Sequence, residues 1–206
     1  AAELPHGTLP QLADLLEHRW PELGLSPGWV GAVQRRRADS MVRHLAAYLA
    51  TSDEVLAVEQ PFTVELGRVV LRGTVDRLER STGGDLKVVD LKTGRTPASK
   101  KDAARHPQLG AYQAAVEAGA FEEIAPGARS GGASLVYVGT QNSTWSGRDQ
   151  PALAADENPD WARDLVASVA DAVSSAALAA TANDLCRTCP VTRSCPMQPE
   201  GRVVGS

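Results

Sequence analysis

The spacing of apolar positions changes character several times along the chain. Leu12, Leu15 and Leu16 fall at helical spacing within residues 10–20, and Ser26-Pro27 then offers an N-cap and a first-turn proline for a second helix running to about residue 50. Beyond that point the period shortens to two. β-Branched runs at 55–66, 69–80 and 86–92, separated by Gly67 and by Thr82-Gly83-Gly84, predict three antiparallel strands. A helical pattern follows at 101–118, then a Gly- and Pro-containing loop, then a buried-type strand at 133–139. A hydrophilic loop at 140–158 leads into a last helix at 160–182, on which Trp161, Leu165, Val169 and Val173 form a stripe that predicts core packing. Residues 183–206 lack periodicity and carry all three cysteines. The expected organisation is therefore a domain over 1–182, with N-terminal helices at 8–50, a core at 55–140 and a C-terminal helix at 160–182, followed by a cysteine-containing tail.

Composition narrows this picture only slightly. With 206 residues, 43% hydrophobic and 22% charged, the chain has the balance of one well-buried core with an extension. A formal net charge of −4 argues against a strongly basic nucleic-acid binder, so any such reading must rest on a local site. No apolar stretch approaches the roughly 20 residues that span a bilayer, and no basic leader is present, so a cytoplasmic protein without a membrane partner is expected. The chain starts Ala1-Ala2-Glu3 without methionine and stops soon after its cysteines, and is read as a piece of a longer protein.

The chemistry is concentrated in two segments, Gly73-Thr74-Val75-Asp76-Arg77 and Val88-Val89-Asp90-Leu91-Lys92-Thr93-Gly94. Strand side chains alternate faces, so Asp90 and Lys92 share one surface while Val89 and Leu91 enter the opposite layer. Thr74, Asp76 and Leu78 share a face of the preceding strand, and hairpin pairing can set Asp76 beside Asp90. Two adjacent carboxylates repel unless a cation is shared, and magnesium or manganese would supply one. Metal-assisted phosphodiester hydrolysis follows, with Lys92 orienting the attacking water and stabilising charge on the phosphate. An isolated Asp-x-Lys is more often a surface ion pair. Here, however, Gln108 and Tyr112 stand four residues apart on the next helix, where both can face the same cleft and contact a DNA backbone. Glu59 is either a further metal-site acid or a strand-surface glutamate. Arg35-Arg36-Arg37 reads as a solvated helix face.

In order and spacing, the two acidic segments and Gln108-x-x-x-Tyr112 resemble the RecB-type branch of the PD-(D/E)xK nuclease superfamily. The resemblance implies a restriction-endonuclease-like α/β core, a central mixed sheet flanked by helices, in agreement with the element order above. It implies Asp76 and Asp90 as metal ligands, the Leu91 carbonyl as a further ligand, and Lys92 as the catalytic lysine. The cysteine tail and the Ala-, Arg- and Val-rich composition look like AdnAB-type helicase–nucleases. That likeness implies a role in processing DNA double-strand breaks, with a helicase motor supplying single strands and a second helicase–nuclease subunit as partner.

Such nucleases carry a histidine in an early helix. His6, His18 and His44 are the available candidates, but none has the expected sequence context, so the histidine is expected upstream and this chain alone is expected to be a weak or inactive deoxyribonuclease. Cys186, Cys189 and Cys195 follow a C-x2-C-x5-C spacing, one ligand short of a zinc or iron–sulfur site. The resemblance implies a [4Fe–4S] cluster completed by a fourth, upstream cysteine, with zinc as the alternative. Two rival readings are a non-catalytic DNA-binding or scaffold module of the same fold and a zinc-binding interaction module built on the tail. Joint retention of Asp76, Asp90 and Lys92 favours the enzyme.

Overall fold

The computed structural model of the chain describes residues 2–25, 28–81, 83–175 and 180–198. Helix α1 (Leu9–Arg19) opens on Thr8, whose N–H donates 2.9 Å to the Gln11 side chain, and a 3-10 turn (Trp20–Leu23) follows it. Helix α2 (Trp29–Leu49) is next; the Ser26-Pro27 cap expected for it lies outside the described residues. Strands β1 (Glu54–Leu66), β2 (Val69–Arg80) and β3 (Leu86–Lys92) form an antiparallel meander, with Gly67 at φ 63 in the first turn, where glycine meets no Cβ penalty. After helices α3 (Lys100–Ala104) and α4 (Pro107–Glu117), strand β4 (Ser130–Tyr137) returns parallel to β3, and β5 (Ser146–Gln150) pairs antiparallel on its far side. The sheet order is β1-β2-β3-β4-β5, and helix α5 (Trp161–Ser174) follows.

Alternation along β3 and β4 sorts the core into two layers. Leu86 and Val88 of β3, with Ala133, Leu135 and Tyr137 of β4, pack against Leu109, Ala115 and Val116 around α4. Val89, Val136 and Val138 pack on the other face against Leu12, Tyr48 and Leu49 of α1 and α2. Asp90 and Lys92 therefore share the α4 face, as period-two spacing requires. This mixed five-stranded sheet between helices is a restriction-endonuclease-like α/β fold.

Four elements differ from the sequence expectations. The helix expected at 101–118 is two helices, because Pro107 disfavours helical backbone at His106, which sits at φ −67 and ψ 120 as the N-cap of α4. Strand β5 lies in the region expected to be a hydrophilic loop. It is a polar edge strand held by main-chain pairing, and its buried Gln150 is satisfied through the Ala103 and His106 carbonyls. Strand β4 begins and ends earlier than residues 133–139. The last helix ends at Ser174; residues 176–179 of the expected span lie outside the described residues. Its buried side chains are Ala162 and Val166, whereas Val169 and Val173 of the expected core stripe are 54% and 69% exposed.

Gln113, fully buried in α4, satisfies its whole amide. Its Nε2 donates to Gln150 Oε1 (2.9 Å) and the Pro151 carbonyl (3.0 Å), while its Oε1 accepts from Ser130 (2.8 Å) and the Leu153 N–H (3.1 Å). A complete buried network of this kind holds α4 in one register on the sheet, and with it Gln108 and Tyr112. At the end of β4, the N–H groups of Val138 and Gly139 both reach the Lys92 carbonyl, and a Cβ on Gly139 would overlap the Thr93 carbonyl. Gly139→Ala is therefore expected to cost about 1–3 kcal/mol, the range for forced overpacking, read as a lower urea midpoint. An unchanged midpoint would show that the two backbones are not in this contact.

The chain divides into two compact units, Ala1–Val166 and Ala167–Ser206. In the second, 3-10 turns at Asp184–Thr188 and Thr192–Ser194 carry the cysteine segment. Thr192 Oγ1 donates to the carbonyls of Cys186 (3.3 Å) and Cys189 (2.6 Å), and the Asn183 N–H donates to Cys186 Sγ (3.3 Å). All three cysteines are free thiols, each partly buried. Among the described residues, no helix is long and apolar enough to cross a membrane.

Candidate active site

The β2–β3 ladder ends at the pair Arg77 and Val89, so Asp76 and Asp90 are the next facing positions, where the strands cease to pair. In place of a main-chain partner, the Leu91 N–H donates to Asp76 Oδ2 at 2.8 Å. A strand residue's N–H and C=O point to the same side, so the Leu91 carbonyl lies along the same strand edge. Asp90 is 3% exposed. Its Oδ1 accepts from Gln108 Nε2 at 2.8 Å. Its Oδ2 lies 2.6 Å from Lys92 Nζ, yet the approach is off the direction of a hydrogen bond, leaving this buried oxygen with no aligned donor among the described residues.

Gln108 joins the parts of this site. Its Oε1 accepts from Lys92 Nζ (3.0 Å), and its Nε2 also lies 3.0 Å from the Tyr112 hydroxyl, which in turn donates to the Thr74 carbonyl (3.2 Å). The sequence assigned Gln108 and Tyr112 to DNA contacts. In the structure their polar ends hold Asp90, Lys92 and the β2 backbone in one constellation.

Burial pushes the Asp90 carboxyl above its ordinary range, the nearby Asp76 charge pushes the same way, and Lys92 opposes both. Burial likewise raises the Tyr112 phenol, so it remains a neutral donor. The available ligands are two carboxylates and a backbone carbonyl edge, all hard oxygen donors, and one carboxylate oxygen is buried without an aligned donor. This set fits a divalent cation of the magnesium or manganese kind. Among the described residues, no third histidine, cysteine or acid joins Asp76 and Asp90 in a preformed metal cluster.

Glu59 stands opposite Asp76, between the pairs Val58–Arg77 and Gln60–Val75. At φ 47 it is the one non-glycine residue with positive φ among those described, a conformation that costs on the order of 1–3 kcal/mol and is found preferentially at functional sites. Of the histidines considered from sequence, His44 is buried in α2 with Nδ1 2.8 Å from the Val138 carbonyl, a packed structural role. His6 is exposed, as is His18 on α1.

Two further residues were not singled out from sequence. His106, two positions before Gln108, interacts with Asp90 and Lys92; burial pushes it below its ordinary range, and its Nδ1 is buried without a partner among the described residues. Its place in His106-Pro107-Gln108 was the available signal. Arg37 Nη2 donates 2.9 Å to the carbonyl of Thr93, the residue after Lys92, across 56 positions of sequence. No local pattern could have shown that contact.

No curated protein matches the chain. Among solved structures, one described as "Crystal structure of SSO0001" is similar at 18% identity, covering 94% of this chain and 84% of that one, with a TM-score of 0.41, a likeness too loose to bear on function. The family model of the PD-(D/E)XK nuclease superfamily matches residues 2–196. With nearly its whole length matched and the Asp76, Asp90 and Lys92 side chains assembled at the end of the meander, the chain belongs to the PD-(D/E)XK nuclease superfamily.

Proposed function

We propose that the chain is a magnesium- or manganese-dependent deoxyribonuclease of the RecB-type branch, the nuclease module of an AdnAB-like helicase–nuclease that processes double-strand breaks in the cytoplasm. The observation that carries the catalytic reading is the buried Asp90 Oδ2, without an aligned donor, beside Asp76 and Lys92. Asp76, Asp90 and the Leu91 carbonyl would hold the cation, with Glu59 as a further acid at the opposing register position. When bound, the cation supplies a polarised phosphoryl oxygen and an acidified water. Lys92 orients that water and offsets charge developing on the phosphate. Gln108 keeps the Lys92 ammonium and Asp90 carboxylate in fixed relation, and Tyr112 ties Gln108 to β2.

Cys186, Cys189 and Cys195 would bind a [4Fe–4S] cluster with a fourth ligand from outside this set, zinc being the alternative; in either case the role is to brace the segment. DNA single strands and a second helicase–nuclease subunit are the proposed partners.

Calorimetric titration with manganese tests the metal reading. The parent chain should bind the ion, Asp90→Asn should lose most of that binding, and magnesium-dependent cleavage of single-stranded DNA, even where weak, should stop in EDTA. Cleavage that persists in EDTA would end the proposal. Binding unaffected by Asp90→Asn would move the metal elsewhere.

A further inference from the structure

We propose that the groove formed by the Trp20–Leu23 turn and the adjoining face of α2 is a binding track for single-stranded nucleic acid that reaches Thr93, the residue after Lys92. The groove is lined by Trp20, Leu23 and Leu25 on one side and by Gln34, Arg37 and Met41 on the other, and it ends at Thr93. Val30, Gln34, Arg37 and Met41 recur at helical spacing, so they form a single stripe along α2 that covers about 16 Å of helix. Leu23 (59% exposed) and Val30 (50%) are uncovered apolar groups on this surface.

Three observations select the occupant. First, among the described residues Arg37 is the one charged side chain that lines the groove, and its Nη2 donates to the Thr93 carbonyl, which sets a guanidinium at the end of the groove nearest Lys92. Second, the acids of this region are taken up elsewhere: Glu17 and Asp39 pair with Arg35, and Glu3 and Glu22 pair with Arg19. Among the described residues no acid lines the groove and Arg37 forms no ion pair, so the groove carries positive charge in a chain of net charge −4. Third, Arg35 lies over the Trp20 ring at 5.1 Å and holds it in place as a platform. An aromatic and apolar floor with cations at its edge suits unpaired bases and their phosphates, whereas a duplex hides its base faces. The proposal rests on the nuclease reading, because the strand in the track is the one presented to the carboxylates.

The test is fluorescence anisotropy in EDTA with a fluorescein-labelled oligothymidylate of about 20 nucleotides, longer than one single-strand site, and a duplex of equal length. The parent should prefer the single strand. Leu23→Asp and Arg37→Ala should each weaken single-strand binding roughly tenfold and change duplex binding far less, as expected for loss of one stacking or phosphate contact. Arg37→Ala should also make the slope of log affinity against log salt shallower by about 0.7, and Arg37→Lys should restore that slope. Leu23 is exposed, so its variant decides the matter if Arg37→Ala misfolds. Parental affinity in both variants, a preference for duplex, or no binding by the parent would overturn the track. Self-association of the parent that Leu23→Asp abolishes would instead assign the surface to a second copy of the chain and overturn it too. Asp90→Asn separates the track from the chemistry. If that variant cuts as fast as its parent, the nuclease reading fails while the groove variants still decide the track.

Discussion

Asp90→Asn is expected to lower single-turnover DNA cleavage in saturating magnesium on the order of 100- to 1000-fold, the loss that follows removal of one pre-aimed charged group from a transition state. The substitution keeps shape and volume but deletes the charge at the buried Oδ2, the oxygen with no aligned donor. Lys92→Ala should fall by a similar factor, because it removes the ammonium lying 2.6 Å from Asp90 and 3.0 Å from Gln108. Neither change should unfold the protein. Asp90→Asn leaves the Lys92 ammonium, on a side chain 32% exposed, within reach of water, and Lys92→Ala leaves an Asp90 carboxyl whose charged form burial already disfavours and which can take up a proton. Circular dichroism melts alongside the rates separate the two effects. Parental cleavage by a folded Asp90→Asn protein would remove the site from the reaction.

The largest effect on stability is expected on the neighbouring strand β2. Arg77, adjacent to Asp76, is fully buried; its Nε pairs with Glu79 at 2.5 Å, Nη1 donates to the Pro5 carbonyl (2.8 Å) and Nη2 to Ser52 Oγ (2.9 Å). Tyr48 donates to the same Glu79 carboxylate at 2.6 Å; burial and that charge push its phenol up, so it stays a neutral donor. Glu79→Ala would leave the guanidinium buried and uncompensated, at a cost of about 3–5 kcal/mol. The double change Arg77→Met with Glu79→Leu removes both charges and should cost far less. Urea denaturation of the parent, the single and the double variant gives the comparison. Equal midpoints for parent and Glu79→Ala would mean that the pair does not hold β2 to the N-terminal segment. A loosened β2 should also reduce cleavage, because Asp76 is carried on the backbone that Arg77 clamps.

How far sequence reaches depends on the range of the interactions involved. The meander was legible because alternation is a property of each strand by itself, and β1, β2 and β3 begin and end within a residue or so of the β-branched runs. The shared face of Asp90 and Lys92 follows from the same period, and the four-residue step from Gln108 to Tyr112 places both on one side of α4. Strand β5 was not legible, because its polar residues are held by pairing with β4 and by Gln150 reaching the carbonyls of Ala103 and His106. The exposed Val169 and Val173 show the converse, since apolar periodicity records a helix but not what covers it.

The chain by itself therefore determined the strands, the face on which the acid and lysine lie, and the residue types able to hold a hard cation. Tertiary structure decided the rest: that the ladder stops where Asp76 meets Asp90, that Gln108 bridges Asp90 and Lys92, and that Arg37 reaches Thr93. Local backbone geometry fixes which way a side chain points. Which groups meet, and which are stripped of water when they do, depends on contacts between segments far apart in the chain, and these form only when the whole core packs.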